Sequence, residues 1–157
     1  MKLHLLRHAK TNQTSSTGLD FDRELLPRGY EQLQEFKDFY AQQPFRVGHI
    51  LCSSAVRTRQ THHEIAKLFA GIPVTFRQDL YLASTEEMLQ IINEFKCAED
   101  LLVIGHNEGI SDLASVLSGD YILLKTCGYV CLEFPFEHSG FISRETGKPE
   151  KTFRARA

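Results

Sequence analysis

The chain has no apolar run long enough to cross a membrane: the first such stretch, Leu3 to Leu6, is interrupted by His4 and stopped by Arg7. A spanning helix needs about 20 apolar residues and a secretion signal a longer apolar core than this. No membrane partner is expected, and the protein is assigned to the cytoplasm. Net charge is also scarce, since 18 Lys and Arg face 20 Asp and Glu to leave -2. Nucleic acids and anionic membranes select a basic face, so neither is an expected partner and any anion site must be local. Cysteine is sparse: Cys52, Cys97, Cys127 and Cys131 form no CxxC pair and no zinc-like spacing. They read as reduced, mostly buried thiols, and no metal or cofactor is expected. Repeats, low-complexity tracts and linkers are absent too. With 42% hydrophobic and 24% charged residues, the 157 residues fit one globular domain spanning 1–157.

Apolar patterning divides the chain into alternating strands and helices. Lys2 to Leu6 reads as a buried strand ending at Arg7-His8, and the polar stretch from Thr11 to Glu24 as a loop of a length that usually carries function. Pro27 suits the first turn of a helix in which Tyr30, Leu33, Phe36, Lys37 and Tyr40 recur before Pro44 stops it. Val47 to Cys52 is a second strand, followed by Ser53-Ser54 as a cap for a helix from about Ala55 to Phe69. A third strand, Val74 to Phe76, precedes Ser84-Thr85-Glu86-Glu87, a capping box opening a helix with Met88, Leu89, Ile91, Ile92 and Phe95. Leu101 to Ile104 reads as a central parallel strand buried on both faces. Gly105-His106-Asn107 then turns into a helix carrying Ile110, Leu113, Ala114 and Leu117, ended by Gly119. Tyr129 to Phe134 is expected to pair with Phe141 to Ser143 as a hairpin, and the polar, basic tail 144–157 is expected to fray. The alternation calls for an α/β fold, a three-layer α/β/α sandwich around a mainly parallel sheet.

In such a sheet, ligands bind beyond the carboxyl ends of the strands. Three expected strands end in chemically active residues: Arg7-His8, Ser53-Ser54 with Arg57 one helical turn on, and His106-Asn107. A parallel sheet brings them to one edge. Arginine forks match phosphate oxygens and free helix N–H groups add donors, so a compact multivalent anion, phosphate above all, is the expected ligand.

The same residues resemble a known family, the histidine phosphatase superfamily with a phosphoglycerate mutase-like fold, and within it the short SixA-type phosphohistidine phosphatases. The resemblance rests on Leu5-Leu6-Arg7-His8-Ala9-Lys10, Asp20-Phe21-Asp22-Arg23-Glu24-Leu25, Ser53-Ser54-Ala55-Val56-Arg57-Thr58-Arg59-Gln60-Thr61 and Val103-Ile104-Gly105-His106-Asn107-Glu108-Gly109. Ala9 stands where the family usually has glycine. The resemblance implies that His8 is the nucleophile, that Arg7, Arg57 and His106 bind phosphate, and that Arg23 adds a further active-site arginine, with Asp20 and Asp22 placed to orient it.

A nucleophilic imidazole must be neutral, and nearby arginines disfavour its protonation. The same cations would balance charge on the transferring phosphoryl group, so no metal is required. An alkoxide leaving group needs an acid, and larger family members supply one after the third strand. Asp79 and Glu86 are the candidates there, although Glu86 and Glu87 also have a simpler role as first-turn helix acids. A phosphoramidate makes a smaller demand.

Other residues have plainer readings. His4 alternates with Leu3 and Leu5 and reads as a strand residue. His62 and His63 point about 100° apart on a helix and suit no common metal. Arg59 reads as a solvated helix face close enough to Arg57 to rim the site, and Lys10 either binds phosphate or is simply exposed. Three functions follow: removal of phosphate from phosphohistidine on a protein, with that protein as partner; hydrolysis of a small sugar or nucleotide phosphate using Asp79 or Glu86; and, remotely, a non-catalytic phosphoprotein-binding module. The compact length favours the first, because it leaves little room for the inserted segments that would shape a metabolite pocket.

Overall fold

The computed structural model describes residues 1–156; position 157, the last of the expected tail, lies outside the described residues. The main elements are β1 (Lys2–Arg7), α1 (Pro27–Gln42), β2 (His49–Ser53), α2 (Val56–Ile65), β3 (Val74–Arg77), α3 (Thr85–Phe95), β4 (Leu101–Gly105), α4 (Gly109–Ser118), β5 (Tyr129–Glu133) and β6 (Lys148–Phe153). The strands form one sheet in the order β3-β2-β4-β1-β5-β6. The pairs β3–β2, β2–β4 and β4–β1 are parallel, whereas β5 and β6 join antiparallel. The α/β fold with a mainly parallel sheet is therefore present.

Alternation along the strands divides the core in two. Leu3, Leu5, Leu101 and Val103 face α3 and α4, meeting Met88, Ile92, Leu113 and Leu117. Leu6, Ile50, Leu102 and Ile104 face the other way, towards Leu33 and Phe36 of α1 and Ile65 of α2. Successive strand side chains point to opposite faces, so a strand flanked on both sides and covered on both faces is apolar throughout. β4 is that strand, with every residue buried. Each fully buried Leu or Ile contributes roughly 1.5–3 kcal/mol, which makes β4 a firm mount for the residue that follows it.

The Ser84–Glu87 capping box is formed, with both reciprocal hydrogen bonds present. Ser53 and Ser54 do not cap α2. Its N-cap is Ala55, and the helix gives way to a short 3-10 turn at Ala66–Phe69. The expected hairpin is also corrected. β5 pairs with β6, and Phe141 lies in a single 3-10 turn, Ser139–Phe141, beside which Asn93 Nδ2 donates to the carbonyls of Ser139 and Ile142. Nor does the tail fray over 148–153. Its Lys, Glu and Pro residues suit an edge strand, where charge and proline are tolerated, while Phe153 packs on Phe36 and Phe39.

Candidate active site

Strand register brings the site together. Arg7 lies opposite Gly105 and Cys52 opposite Ile104, so the residues that follow, His8, His106 and Ser53, converge at the carboxyl edge of the sheet. They adjoin a cavity of about 370 Å³ lined by Arg7, His8, Lys10, Thr11, Asp20, Arg23, Arg57, Leu82, His106, Asn107 and Thr126. Four cations thus face one carboxylate. The five residues singled out from the sequence, Arg7, His8, Arg23, Arg57 and His106, all line this cavity. A larger cleft of about 520 Å³, between Phe45, Phe69 and Asp100, has no comparable cluster.

His8 is held on every side. Its backbone N–H donates to Gly105 O (3.2 Å) and its carbonyl accepts from Cys127 N (2.9 Å). The next two amides donate to Thr61 Oγ1 (3.1 Å) and Gln32 Oε1 (2.9 Å). Its ring Nδ1 lies 2.8 Å from Ala9 O. A carbonyl can only accept, so Nδ1 carries the proton and Nε2 the lone pair. Burial pushes the His8 pKa well below its usual value, with His106, Arg57 and Arg7 pushing the same way. Desolvation, more than the neighbouring arginines, is thus the cause that disfavours protonation of this ring.

Arg57, in the first turn of α2, is 2% exposed. Its Nη1 donates to Asp20 O (2.8 Å) and its Nη2 to Asp20 Oδ2 (3.0 Å). Arg7 Nη1 donates to Leu124 O at 3.1 Å. The Nε atoms of both arginines are buried without a protein partner. Buried donors are normally satisfied, so two orphaned guanidinium nitrogens here leave hydrogen bonds to offer an anion. Arg23 is tied into its own loop, donating to Asp20 Oδ1 (2.9 Å), Thr11 Oγ1 (3.2 Å) and Asn12 O (2.8 Å). His106 Nε2 lies 2.7 Å from Ser53 Oγ, and its ring centroid is 5.4 Å from that of His8. Burial lowers the His106 pKa to about 3, helped by Arg57.

The carboxylates fall differently from expectation. Asp79 is paired with Arg77 at 2.7 and 2.9 Å, which lowers its pKa, and it does not line the cavity. Glu86 lines a separate cleft with Tyr121 and Arg144. The cavity's one carboxylate is Asp20, which the Tyr81 hydroxyl (2.5 Å) and then Arg57 hold ionised, with a pKa of about 2. Between β3 and α3, Leu82 lines the cavity, and the residue that hydrogen-bonds its carboxylate is Tyr81. Nothing in its sequence position distinguished it from Asp79 or Glu86; only the loop path does. Arg59 lies over the Phe76 ring at 4.4 Å, in a cleft with His62 and His63 rather than in the site.

The sequence model of the histidine phosphatase superfamily (branch 1) matches residues 3–81, a stretch that holds Arg7, His8, Arg23 and Arg57. The chain belongs to that superfamily. His106 lies beyond the matched stretch. An uncharacterized chloroplastic protein of Arabidopsis thaliana is 30% identical over 84% of this chain, and the chain spans 66% of that relative's length. A protein of Nakamurella multipartitia named as a phosphohistidine phosphatase, SixA, superimposes with a TM-score of 0.85 at 21% identity, covering 99% of this chain and 96% of its own. The protein histidine phosphatase SixA complexed with tungstate gives 0.76 at 17% identity, with coverages of 98% and 97%. At these identities the likeness to the two solved structures is one of fold.

Proposed function

We propose that this protein is a phosphatase working through a phosphoryl group carried on His8 Nε2, and that its substrate is phosphohistidine on a protein. The observation that carries the substrate reading is the composition of the cavity: its one carboxylate, Asp20, is held ionised, while Asp79 and Glu86 stand outside it. A carboxylate that stays ionised near neutral pH donates no proton. An alkoxide leaving group would depart unprotonated, whereas the nitrogen of a phosphoramidate is the easier leaving group.

In the first step the Nε2 lone pair of His8 attacks phosphorus, and the bond to the leaving nitrogen breaks with its electron pair going to that nitrogen. Arg7, Arg23 and Arg57 balance the charge on the non-bridging oxygens. Ala9 O keeps the proton on Nδ1 throughout, so the ring that becomes phosphorylated stays oriented. In the second step water attacks phosphorus, the bond to Nε2 breaks, and its electrons return to His8 as inorganic phosphate leaves. The scheme needs no metal. The fold likeness to proteins named as SixA phosphohistidine phosphatases supports the same substrate class.

The test compares a phosphohistidine-bearing protein with a panel of sugar, nucleotide and aryl phosphates. The reading predicts the higher kcat/KM on the phosphohistidine protein; faster turnover of the small esters overturns it.

A further inference from the structure

Ser53 is the last residue of β2, fully buried, one step beyond the Cys52–Ile104 pairing. Its hydroxyl has two neighbours: it accepts from the amide of Ala55 at 3.3 Å and lies 2.7 Å from His106 Nε2. A hydroxyl has one proton to give. If His106 Nε2 carried hydrogen and donated to Ser53, the hydroxyl proton would be buried with no acceptor, an arrangement folded proteins avoid. The bond therefore runs from Ser53 to a bare Nε2, and the single proton of the neutral imidazole sits on Nδ1. That nitrogen is buried with no protein partner, on a residue that lines the phosphate cavity.

We propose that Ser53 is a positioning residue that sets which nitrogen of His106 carries the proton, so that a neutral His106 presents Nδ1–H to a phosphoryl oxygen. The inference rests on the phosphatase mechanism proposed above for its consequence, and on the hydrogen-bond count alone for the tautomer. With the opposite tautomer, Nδ1 would offer a lone pair to an anion. A neutral donor also suits a site already rich in cations: it holds an oxygen without adding charge that would oppose release of inorganic phosphate.

The test is made on the full chain labelled with 15N-histidine, using long-range 1H–15N correlation at neutral pH, with the His106 signals assigned by their loss in His106→Gln. The wild-type protein is expected to show Nδ1–H and a bare Nε2. Ser53→Ala is expected to populate the Nε2–H form, to weaken binding of inorganic phosphate and to lower kcat roughly 10- to 100-fold, the scale of one hydrogen bond to a charged group. Ser53→Thr keeps the hydroxyl and is expected to restore the wild-type tautomer and most of the rate. A wild-type spectrum showing Nε2–H overturns the proposal without any variant. So does a folded Ser53→Ala protein that keeps the Nδ1–H form and full turnover. If the wild-type protein hydrolyses no phosphohistidine, the proposed function fails, while the spectrum and the inorganic phosphate titration still decide the role of Ser53.

Discussion

Asp20 places its carboxylate 3.0 Å from Nη2 of Arg57, so one of the guanidinium groups that line the cavity is already engaged by an anion of the protein itself. Both Nη atoms of Arg57 are engaged by Asp20, and its Nε is left without a protein partner. Asp20→Asn keeps a neutral acceptor for the loop contacts and removes the competing charge. The expected result is a KM, and a dissociation constant for inorganic phosphate, lowered roughly two- to fivefold, the scale of a partly exposed ion pair. Because the pKa of Asp20 is held to about 2, the gain is expected to be constant between pH 5 and 8. Weaker phosphate binding in the variant would show that Asp20 orients Arg57 more than it competes with substrate.

Gly29 lets α1 lie against the segment that follows His8. A Cβ there would meet the carbonyl of Lys10, which also accepts from Leu26 N at 2.9 Å. Gly29→Ala gains up to about 1 kcal/mol in helix propensity but must displace backbone, which typically costs 1–3 kcal/mol. The expected outcome is a modestly lower Tm with a loss of kcat of more than tenfold, since His8 lies two residues before Lys10, whose carbonyl is displaced, in the same held segment. Thermal unfolding and turnover measured on the same preparation check both.

Acid should destabilise the fold early. His4 and His106 are pushed down to about 3, and His8 well below its usual value, in each case chiefly by burial. Between about pH 6.5 and 3 the unfolded chain therefore binds protons that the folded chain refuses, and stability rises with pH across that window. Each such histidine contributes at most about 1.4 kcal/mol per pH unit. His4 stacks on Phe45 with ring centroids 4.1 Å apart, and its Nδ1 lies 2.6 Å from the Tyr129 hydroxyl. His4→Phe keeps the stack and loses the titration. Denaturant midpoints from pH 7 to 4 should fall less steeply in that variant, even if it is less stable at pH 7 for want of the Tyr129 hydrogen bond.

Neither Asp79 nor Glu86 lines the cavity. Asp79→Asn and Glu86→Gln are expected to leave kcat on a phosphohistidine protein within about twofold of the wild-type value. A loss confined to substrates with poor leaving groups in either variant would assign that residue the role of general acid.

Much of the fold was legible because it follows from order and apolar period alone. Leu101–Ile104 could only be an interior strand, and once strands and helices alternate, Arg7-His8, Arg57 and His106 must share one sheet edge. The misreadings have local causes. Ser53 stands where a helix cap belongs, but one residue past the Cys52–Ile104 pairing its hydroxyl meets His106 instead. Residues 148–153 look like a frayed tail because an edge strand buries little. Tyr81 and Asp20 are 61 positions apart and meet only through two irregular loops, whose paths have no period to read.

The central claim is the phosphoryl group on His8 Nε2. Rapid mixing of the protein with a 32P-labelled phosphohistidine substrate, quenched in alkali, should trap an acid-labile, alkali-stable phosphoenzyme that maps to His8 and is absent from His8→Ala. Phosphate release that persists at the wild-type rate in His8→Ala would contradict it.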